Sequence, residues 1–171
     1  MKIKSLFPKK EQVLTNGFFQ YENFFPIATI ELERSGNKFS VPIIYTFFES
    51  SNAYEEFFSE GEYGGSFSFQ LVDDRCKPTI NKHALKINDD YQEFLLQSIQ
   101  KYNSYSKHFV PIEFPSEPTW WQSDETPLNE NGEQLMFICQ LDLYEIVDDD
   151  YRLFIFYDFE SDKVKNIYQR D

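Results

Sequence analysis

The sequence predicts an α+β fold that is mostly antiparallel β-sheet, with one main amphipathic helix near residues 90–102. Segments in which apolar and polar residues alternate recur along the chain, and turn residues separate them, which is typical of β-hairpins. Residues 90–102 show the clearest helical period. Phe, Tyr and Trp make up 19% of the 171 residues, and so many exposed rings would form large apolar patches. The prediction is therefore a set of sheets around an aromatic-rich core.

The length predicts a single domain that spans residues 1–171. The alternative is two packed halves, residues 1–103 and 119–171, joined by a proline-rich connector. Proline fixes φ and has no backbone N–H, so the connector is predicted to be extended and poor in ladder hydrogen bonds. A chain of this size buries roughly 70% of its unfolded surface, so its folding calls for no metal, cofactor or disulfide.

The N-terminal half begins with a predicted hairpin. Apolar and acidic side chains alternate towards the end of residues 27–33, which predicts a half-buried strand. Residues 35–38 provide a turn sequence, and residues 39–48 form the return strand. Because Pro42 lacks an N–H, the return strand is predicted to be bulged or to lie at a sheet edge.

Residues 52–58 then predict a short helix. Gly64 and Gly65 predict a turn, because no lysine of a phosphate-binding loop follows them. Residues 66–71 alternate between small or polar and large apolar side chains, so they predict a strand with one solvated face. Residues 73–78 predict a loop.

The main helix is predicted over residues 90–102. Asp90 and Glu93 have the spacing of a capping box, which would begin the helix. The polar side of the helix is not basic, so we expect it to lie on a sheet and not on a membrane. Its predicted apolar face consists of Tyr91, Phe94, Leu95, Ile99 and Tyr102.

The C-terminal third predicts three strands. Residues 134–141 are apolar on both faces, which is typical of a buried strand. Residues 151–157 and 164–168 predict a final hairpin around the turn at residues 160–162. Because both faces of 151–157 are largely apolar, we expect this strand in the middle of a sheet with cover on each side.

The charge of the chain favours a basic partner. The formal net charge is −13, and residues 111–171 contain 4 Lys and Arg against 15 Asp and Glu, a balance of −11. A field of this sign repels phosphate groups, so neither nucleic acid nor an anionic membrane is an expected partner. It attracts a basic protein and raises the association rate. The alternative is that the acidity only keeps an aromatic-rich protein in solution.

The chain shows no sign of export. No apolar run approaches about 18 residues, the length that would cross a membrane, and residues 1–10 lack the apolar region of a signal peptide. Two cysteines, Cys76 and Cys139, are too few for a disulfide framework. We therefore expect a cytoplasmic protein with reduced cysteines, and Cys139 to be inert packing in an apolar strand.

Trp120, Trp121 and Gln122 form the most distinctive local feature. An exposed Trp could stack on a sugar or fill a pocket of a partner, since Trp is enriched among the residues that dominate binding energy. Neighbouring residues in an extended segment point to opposite sides, so one Trp can be core while the other is exposed. The structural alternative is that both pack and that Gln122 satisfies backbone groups.

Other clusters predict no chemistry of their own. Asp148, Asp149 and Asp150 lack the ligand spacing of a calcium loop, and they predict an acidic turn that could contact Lys or Arg of a partner. The spacing of Cys76, His83 and His108 matches no zinc site. Because no motif of a catalytic nucleophile or metalloprotease occurs, we assign no catalytic, cofactor-binding or metal-binding residue.

The C-terminal segment resembles a known family. Residues 118–127 (PTWWQSDETP), Gly132, residues 136–140 (MFICQ) and residues 153–158 (LFIFYD) are similar to the YwqG-like family of bacterial proteins. Glu117 stands where that family usually has Gly. The resemblance implies an α+β or mostly β fold in an intracellular bacterial protein with no established activity. It also implies an association with interaction and toxin-neutralising, or immunity, proteins.

These observations favour a non-catalytic acidic protein-binding module that captures a basic protein. The first alternative is a small-ligand or carbohydrate binder with a Trp platform, and the second is an enzyme with an unrecognised carboxylate site. The oligomeric state is left open. The candidate partner-binding residues are Trp120, Trp121, Gln122, Asp124, Glu125, Asp148, Asp149 and Asp150.

Overall fold

A computed structural model describes residues 1–47, 64–80, 82–105 and 111–170. It contains an antiparallel three-stranded sheet and an antiparallel six-stranded sheet, with one main helix, so the predicted fold class is confirmed. The described strands are β1 (Lys2–Leu6), β2 (Phe24–Arg34), β3 (Asn37–Thr46), β4 (Gly64–Val72), β5 (Arg75–Pro78), β6 (Ile112–Glu113), β7 (Met136–Asp142), β8 (Tyr151–Asp158) and β9 (Lys163–Arg170). The helices are α1 (Lys10–Val13), α2 (Gln92–Ser104) and α3 (Tyr144–Val147), with 3-10 turns at Lys82–Leu85 and Asp89–Tyr91.

The first sheet has the order β1-β2-β3, and the second has the order β5-β4-β9-β8-β7-β6. The second sheet therefore combines strands from residues 64–78 with strands from residues 112–170. The inner faces of the two sheets share one apolar core. Tyr45 of β3 packs edge-on against Tyr168 of β9, with 6.2 Å between the ring centroids. The Asn166 side chain donates a hydrogen bond to the carbonyl oxygen of Ile44 at 2.8 Å, which joins the sheets through a buried polar contact.

The N-terminal hairpin forms as predicted. Strands β2 and β3 pair from Phe24 with Thr46 to Arg34 with Asn37. The strand that carries Pro42 lies at the edge of its sheet, as predicted, while the bulge lies in β2. The first half of β2 is buried on both faces, so only its last residues show the expected half-buried pattern. The predicted helix at 52–58 lies outside the described residues.

Two predictions between residues 64 and 78 are wrong. Gly64 and Gly65 are the first residues of β4 and pair with Gln169 and Tyr168 of β9, because a distant strand supplies the hydrogen bonds that a local turn would have supplied. Residues 73–78 are not a loop. Asp73 and Asp74 form a two-residue turn at φ values of 48° and 61°, and the next four residues return as β5. Short polar Asp side chains tolerate this left-handed region, which allows so tight a turn.

The main helix is confirmed, but its start differs from the prediction. A 3-10 turn at Asp89–Tyr91 precedes α2, and no side-chain cap bonds its first residue, so Asp90 and Glu93 do not form a capping box. Phe94 is 54% exposed and lies off the buried face, while Leu95 is buried. The buried part of the helix is held by Tyr102, whose hydroxyl donates to the Pro26 carbonyl at 2.6 Å.

The C-terminal strands form as predicted. Strands β8 and β9 pair from Tyr151 with Arg170 to Asp158 with Lys163. Strand β8 lies between β7 and β9, and nearly all of its residues are buried. On the outer face of the sheet, Phe154 and Phe156 of β8 and Ile167 of β9 form a second small apolar cluster that is covered by Trp120, Leu135 and Phe137. In the part of the chain that the structure describes, no helix is long and apolar enough to cross a membrane.

Candidate functional site

The candidate site begins with the tryptophan loop, which we define as residues 118–126. This loop crosses the outer face of the six-stranded sheet, and two buried glutamines hold it there. Gln140 of β7 accepts a hydrogen bond from the Thr119 backbone N–H at 2.8 Å. Gln169 of β9 accepts one from the Trp121 N–H at 3.0 Å and donates another to the Ser123 carbonyl at 2.8 Å. Both glutamines are 0% exposed, and a buried amide is stable only where such partners are present.

The two tryptophans have different environments. Trp120 lies against the outer apolar cluster, 4.4 Å from the ring centroid of Phe154 and 5.9 Å from that of Phe156, and it is almost parallel to the latter. Trp121 is 37% exposed. The alternation along the loop therefore puts Trp120 into the packing and leaves Trp121 at the surface.

Arg152, a residue of β8, supports the Trp121 ring from the side of the sheet. Its guanidinium carbon lies 4.8 Å from the centroid of the Trp121 ring, a cation–π distance. The same guanidinium donates two hydrogen bonds to the Asp142 carboxylate, at 2.6 and 3.1 Å, and one to the Thr119 hydroxyl at 2.9 Å. The hydrogen bond to Asp142 raises the pKa of Arg152. Because so many contacts hold Arg152, the Trp121 ring has a rigid support on one face.

Acidic groups border the tryptophan loop. Hydrogen bonds from the hydroxyl and N–H of Thr126 lower the pKa of Asp124, which is exposed and charged. Burial raises the pKa of Glu125, which is half-buried at the end of the loop. Glu113 of β6 accepts a hydrogen bond from the Gln140 side chain at 2.6 Å. Carboxylates thus lie along the tryptophan loop and at the edge strand beside it.

The Asp148–Asp150 run forms the predicted acidic turn, although it follows helix α3 and not a strand. Asp148 ends the helix in the left-handed region at φ 63° and accepts a hydrogen bond from Lys101 at 2.6 Å. Asp149 accepts a hydrogen bond from the Tyr45 hydroxyl. Asp150 is exposed. The three carboxylates line a cleft of about 190 Å³ together with Arg170 and the exposed ring of Phe94.

Arg170 connects the two groups of predicted residues. Its carbonyl oxygen accepts a hydrogen bond from the Gln122 side chain at 2.6 Å, on the side of the tryptophan loop. Its side chain lines the acidic cleft beside Asp148, Asp149 and Asp150. The structure therefore brings residues that lie about 30 positions apart in the sequence to the same end of β9. The Arg170 side chain lies over Tyr151 on the inner side of the sheet, whereas Gln169 holds the tryptophan loop on the outer side, so the loop and the cleft flank this end of the sheet from opposite sides. We call these two surfaces together the acidic face.

Cys76, Cys139 and His83 contribute nothing to this site. Cys76 and Cys139 are free and fully buried, and burial raises the pKa of both thiols. His83 is exposed on a 3-10 turn, and His108 lies outside the described residues. Among the residues that the structure describes, no three His, Cys, Asp or Glu side chains are grouped as metal ligands.

Sequence reasoning missed Arg152, Asp142 and Gln169 as parts of the site. The alternation in β8 was a usable signal, since it places Arg152 on the same face as Phe154 and Phe156. A long polar side chain on an otherwise apolar face needs a partner. Asp142 provides that partner from the neighbouring strand β7, in direct register with Arg152.

Comparison with protein-family models gave no match, and searches of curated proteins and of solved structures gave no significant match. The resemblance to the YwqG-like family, which covers mainly residues 111–171, therefore stays a prediction. The fold defines the class, an α+β protein with two antiparallel sheets and a tryptophan loop on the outer face of the larger one.

Proposed function

We propose that this chain is a non-catalytic, cytoplasmic protein-binding module that captures a basic protein on its acidic face. The most concrete version is a bacterial immunity protein of the YwqG-like family that neutralises a basic toxin. The observation that supports the proposal most directly is the exposure of Trp121 on a rigidly held loop with carboxylates around it.

A preorganised Trp suits the binding of a folded partner. Tryptophan is enriched among the few residues that carry most of the energy of an interface. Ordering a loop on binding costs free energy, and here Gln169 and Arg152 already order the backbone and the ring of Trp121. The free face of the indole is therefore presented to a partner without further ordering.

The charge of the acidic face favours a basic partner. Asp142 neutralises Arg152 and Asp148 neutralises Lys101, so the remaining carboxylates, such as Asp124 and Asp150, outnumber the remaining cation of the cleft, Arg170. Fields of one sign steer oppositely charged proteins and raise the association rate, and salt weakens the effect. The partner is accordingly expected to place Lys or Arg side chains beside an apolar pocket for Trp121.

The proposal is tested by affinity capture from bacterial lysate at low and high salt, followed by mass spectrometry. The baits are the wild-type chain, Trp121→Ala and Leu96→Ala, where Leu96 is another exposed apolar residue but lies on α2. We expect a basic protein that wild type and Leu96→Ala retain at low salt, that high salt releases, and that Trp121→Ala loses. Equal retention by Trp121→Ala, or retention that does not depend on salt, would contradict the proposal.

Charge reversal gives a second, kinetic test on the identified partner. Asp150 is exposed and lies at the cleft, so Asp150→Lys changes the field with little effect on folding. We expect slower association and a weaker dependence of the association rate on salt. The matched control is Asp89→Lys, at an exposed position in the 3-10 turn before α2. Equal changes of the association rate in the two variants would contradict the proposal that the partner binds the acidic face.

The second candidate function is carbohydrate binding. The observation that favours it is an exposed indole with polar side chains beside it, since Arg152 and Gln122 could bond sugar hydroxyls while the ring stacks on the sugar. Tryptophan fluorescence is a sensitive test because Trp120 is packed and Trp121 would report binding. A flat titration over a broad panel of glycans would remove this candidate.

A further inference from the structure

Three hairpin turns meet at the end of the sheets opposite Arg170. They are the turns between β2 and β3, between β4 and β5, and between β8 and β9. A cavity of about 320 Å³ opens among them, and each hairpin supplies part of its wall. Sequence reasoning assigned no role to this region, and the proposed function does not use it.

Three aromatic rings form an apolar corner of this cavity. The centroid of Phe39 lies 5.3 Å from that of Tyr157 and 6.3 Å from that of Phe159. Tyr157 and Phe159 are 5.0 Å apart and meet at 86°. Rings that meet at steep angles form adjoining walls of one corner, and the face of each ring carries the negative side of its quadrupole, which attracts cations.

Carboxylates stand beside the rings. Asp73 and Asp74 come from the β4–β5 turn, and Asp162 comes from the β8–β9 turn. Asp74 accepts the Ser40 N–H through one oxygen at 3.0 Å, and Asp162 accepts the Tyr157 hydroxyl through one oxygen at 2.6 Å. Each of these two carboxylates therefore keeps a second oxygen that can accept another hydrogen bond.

An arginine of the chain, Arg34, already contacts this aromatic corner. The guanidinium carbon of Arg34 lies 4.7 Å from the centroid of Phe159, and the guanidinium donates a hydrogen bond to the Phe159 carbonyl at 2.7 Å. This internal guanidinium covers one ring only. Three carboxylates against one guanidinium leave the cavity with a formal charge of −2, so a second cation is favoured electrostatically.

We propose that this cavity binds the guanidinium group of an arginine side chain from a partner polypeptide. A guanidinium can stack flat on Phe39, whose side chain is half-buried, while its N–H groups donate to Asp73 and to the second oxygen of Asp74. A quaternary ammonium would satisfy the rings but has no N–H for the carboxylates. An ammonium has the donors but lacks a planar face for stacking.

The arginine site is separate from the acidic face. Along β8, seven residue steps of about 3.3 Å put about 23 Å between Tyr151, beside Arg170, and Asp158, beside Lys163. Loss of one site therefore leaves the other intact, and failure of one proposal does not imply failure of the other.

The test is a titration of the full chain with N-acetyl-arginine methylamide, followed by NMR chemical shifts of backbone amides. N-acetyl-citrulline methylamide is the matched probe, because it has nearly the same shape without the charge. We expect saturable binding of the arginine probe in the millimolar range, with shifts at residues of the three hairpins, and at least about ten-fold weaker binding of the citrulline probe.

Variants identify the side chains. Asn tolerates the left-handed region as well as Asp does, so Asp73→Asn with Asp74→Asn keeps the turn while removing two charges. The matched control is Asp89→Asn with Asp90→Asn, at two exposed positions of a 3-10 turn. We expect the first pair to weaken binding of the arginine probe by about five-fold or more and the control pair to change it little. Phe39→Leu tests the ring separately, with thermal unfolding as the check on folding.

Three results would overturn the proposal. The first is no saturable binding of the arginine probe, and the second is equal binding of the citrulline probe. The third is a loss of affinity in the Asp73 and Asp74 pair that is no larger than in the control pair. Any of them would mean that the rings and carboxylates serve only to pack and solvate the hairpin end.

Discussion

The guanidinium of Arg152 lies 4.8 Å from the centre of the Trp121 ring, with Asp142 and Thr119 holding it in place. An exposed indole is thus supported from the sheet and not only from its own loop. The support comes from strand β8, whose outer face otherwise carries buried Phe154 and Phe156. The surface of the tryptophan loop is therefore coupled to the packing of the sheet below it.

Replacing Arg152 by Ala should loosen Trp121. The variant removes the cation–π contact and leaves Asp142 without its bidentate partner, at an expected cost of about 1–3 kcal/mol in the free energy of unfolding. We expect Trp fluorescence to shift to the red and acrylamide quenching to increase. Lys86→Ala, at an exposed position, is the control. Quenching that stays at the wild-type level would show that Arg152 does not hold the ring.

Gln169→Leu should destabilise the chain through lost hydrogen bonds. The side chains have similar volumes, but the variant leaves the Trp121 N–H and the Ser123 carbonyl without their buried partner. Both hydrogen bonds are only partly buried, so at about 0.5–1.5 kcal/mol for each we expect a loss of about 1–3 kcal/mol in urea denaturation. Gln100→Leu at an exposed helix position should change stability by less than about 0.5 kcal/mol. Similar losses in the two variants would contradict the proposed anchoring.

Phe154→Ala should affect both the sheet and the loop. Phe154 is 0% exposed and lies under Trp120, so the truncation leaves a cavity and removes the support of that ring. We expect a loss of about 3–5 kcal/mol in the free energy of unfolding and a change in Trp fluorescence. A destabilised variant with unchanged Trp emission would show that Trp120 does not depend on this contact.

Asp158 should make stability depend on acid pH. Its burial opposes ionisation, but hydrogen bonds from Ser161 and from the Glu160 N–H outweigh burial and lower its pKa. Because the folded-state pKa lies below the unfolded value, the stabilisation is present above about pH 4 and is lost as the pH falls through the folded value. Asp158→Asn should therefore show a smaller loss of stability between about pH 5 and pH 3 than wild type does. Parallel pH profiles for both proteins would disprove this role.

The two thiols should be unreactive in the native state. Cys76 and Cys139 are 0% exposed, and burial raises the pKa of both, so neither forms thiolate near neutral pH. A disulfide reagent such as DTNB should label neither thiol in native buffer and both in denaturant. Rapid labelling without denaturant would show that the region around one of them opens.

Local patterns predicted most strands. In β8, both faces are apolar over Tyr151–Asp158, and the side-chain period of two residues makes a central strand the only position that buries both. Turn residues at 35–38 and 160–162 likewise predicted two hairpins that the structure contains. These features depend on neighbours in sequence, so sequence periodicity is enough to find them.

Predictions failed where strand pairing or a 3-10 turn overrode the local preference of the residues. Gly64 and Gly65 suit a turn, but pairing with β9 extends them as a strand. Residues 75–78 have the sequence of a loop, but they pair with β4 and form strand β5. Asp90 has the spacing of a cap, yet a 3-10 turn moves the start of α2 past it.

The sequence by itself determined the α+β class, the acidic balance of the C-terminal third and the candidates for partner contact, because composition and periodicity are properties of the chain. Only the tertiary structure decided that Trp120 packs and Trp121 is exposed, since this depends on which side of the loop meets β8. It also decided that Gln122 and Asp150 both lie near Arg170. The pairing of β8 with β9 puts Asp150, which precedes β8, at the end of β9, and Gln169 holds the tryptophan loop at the same end.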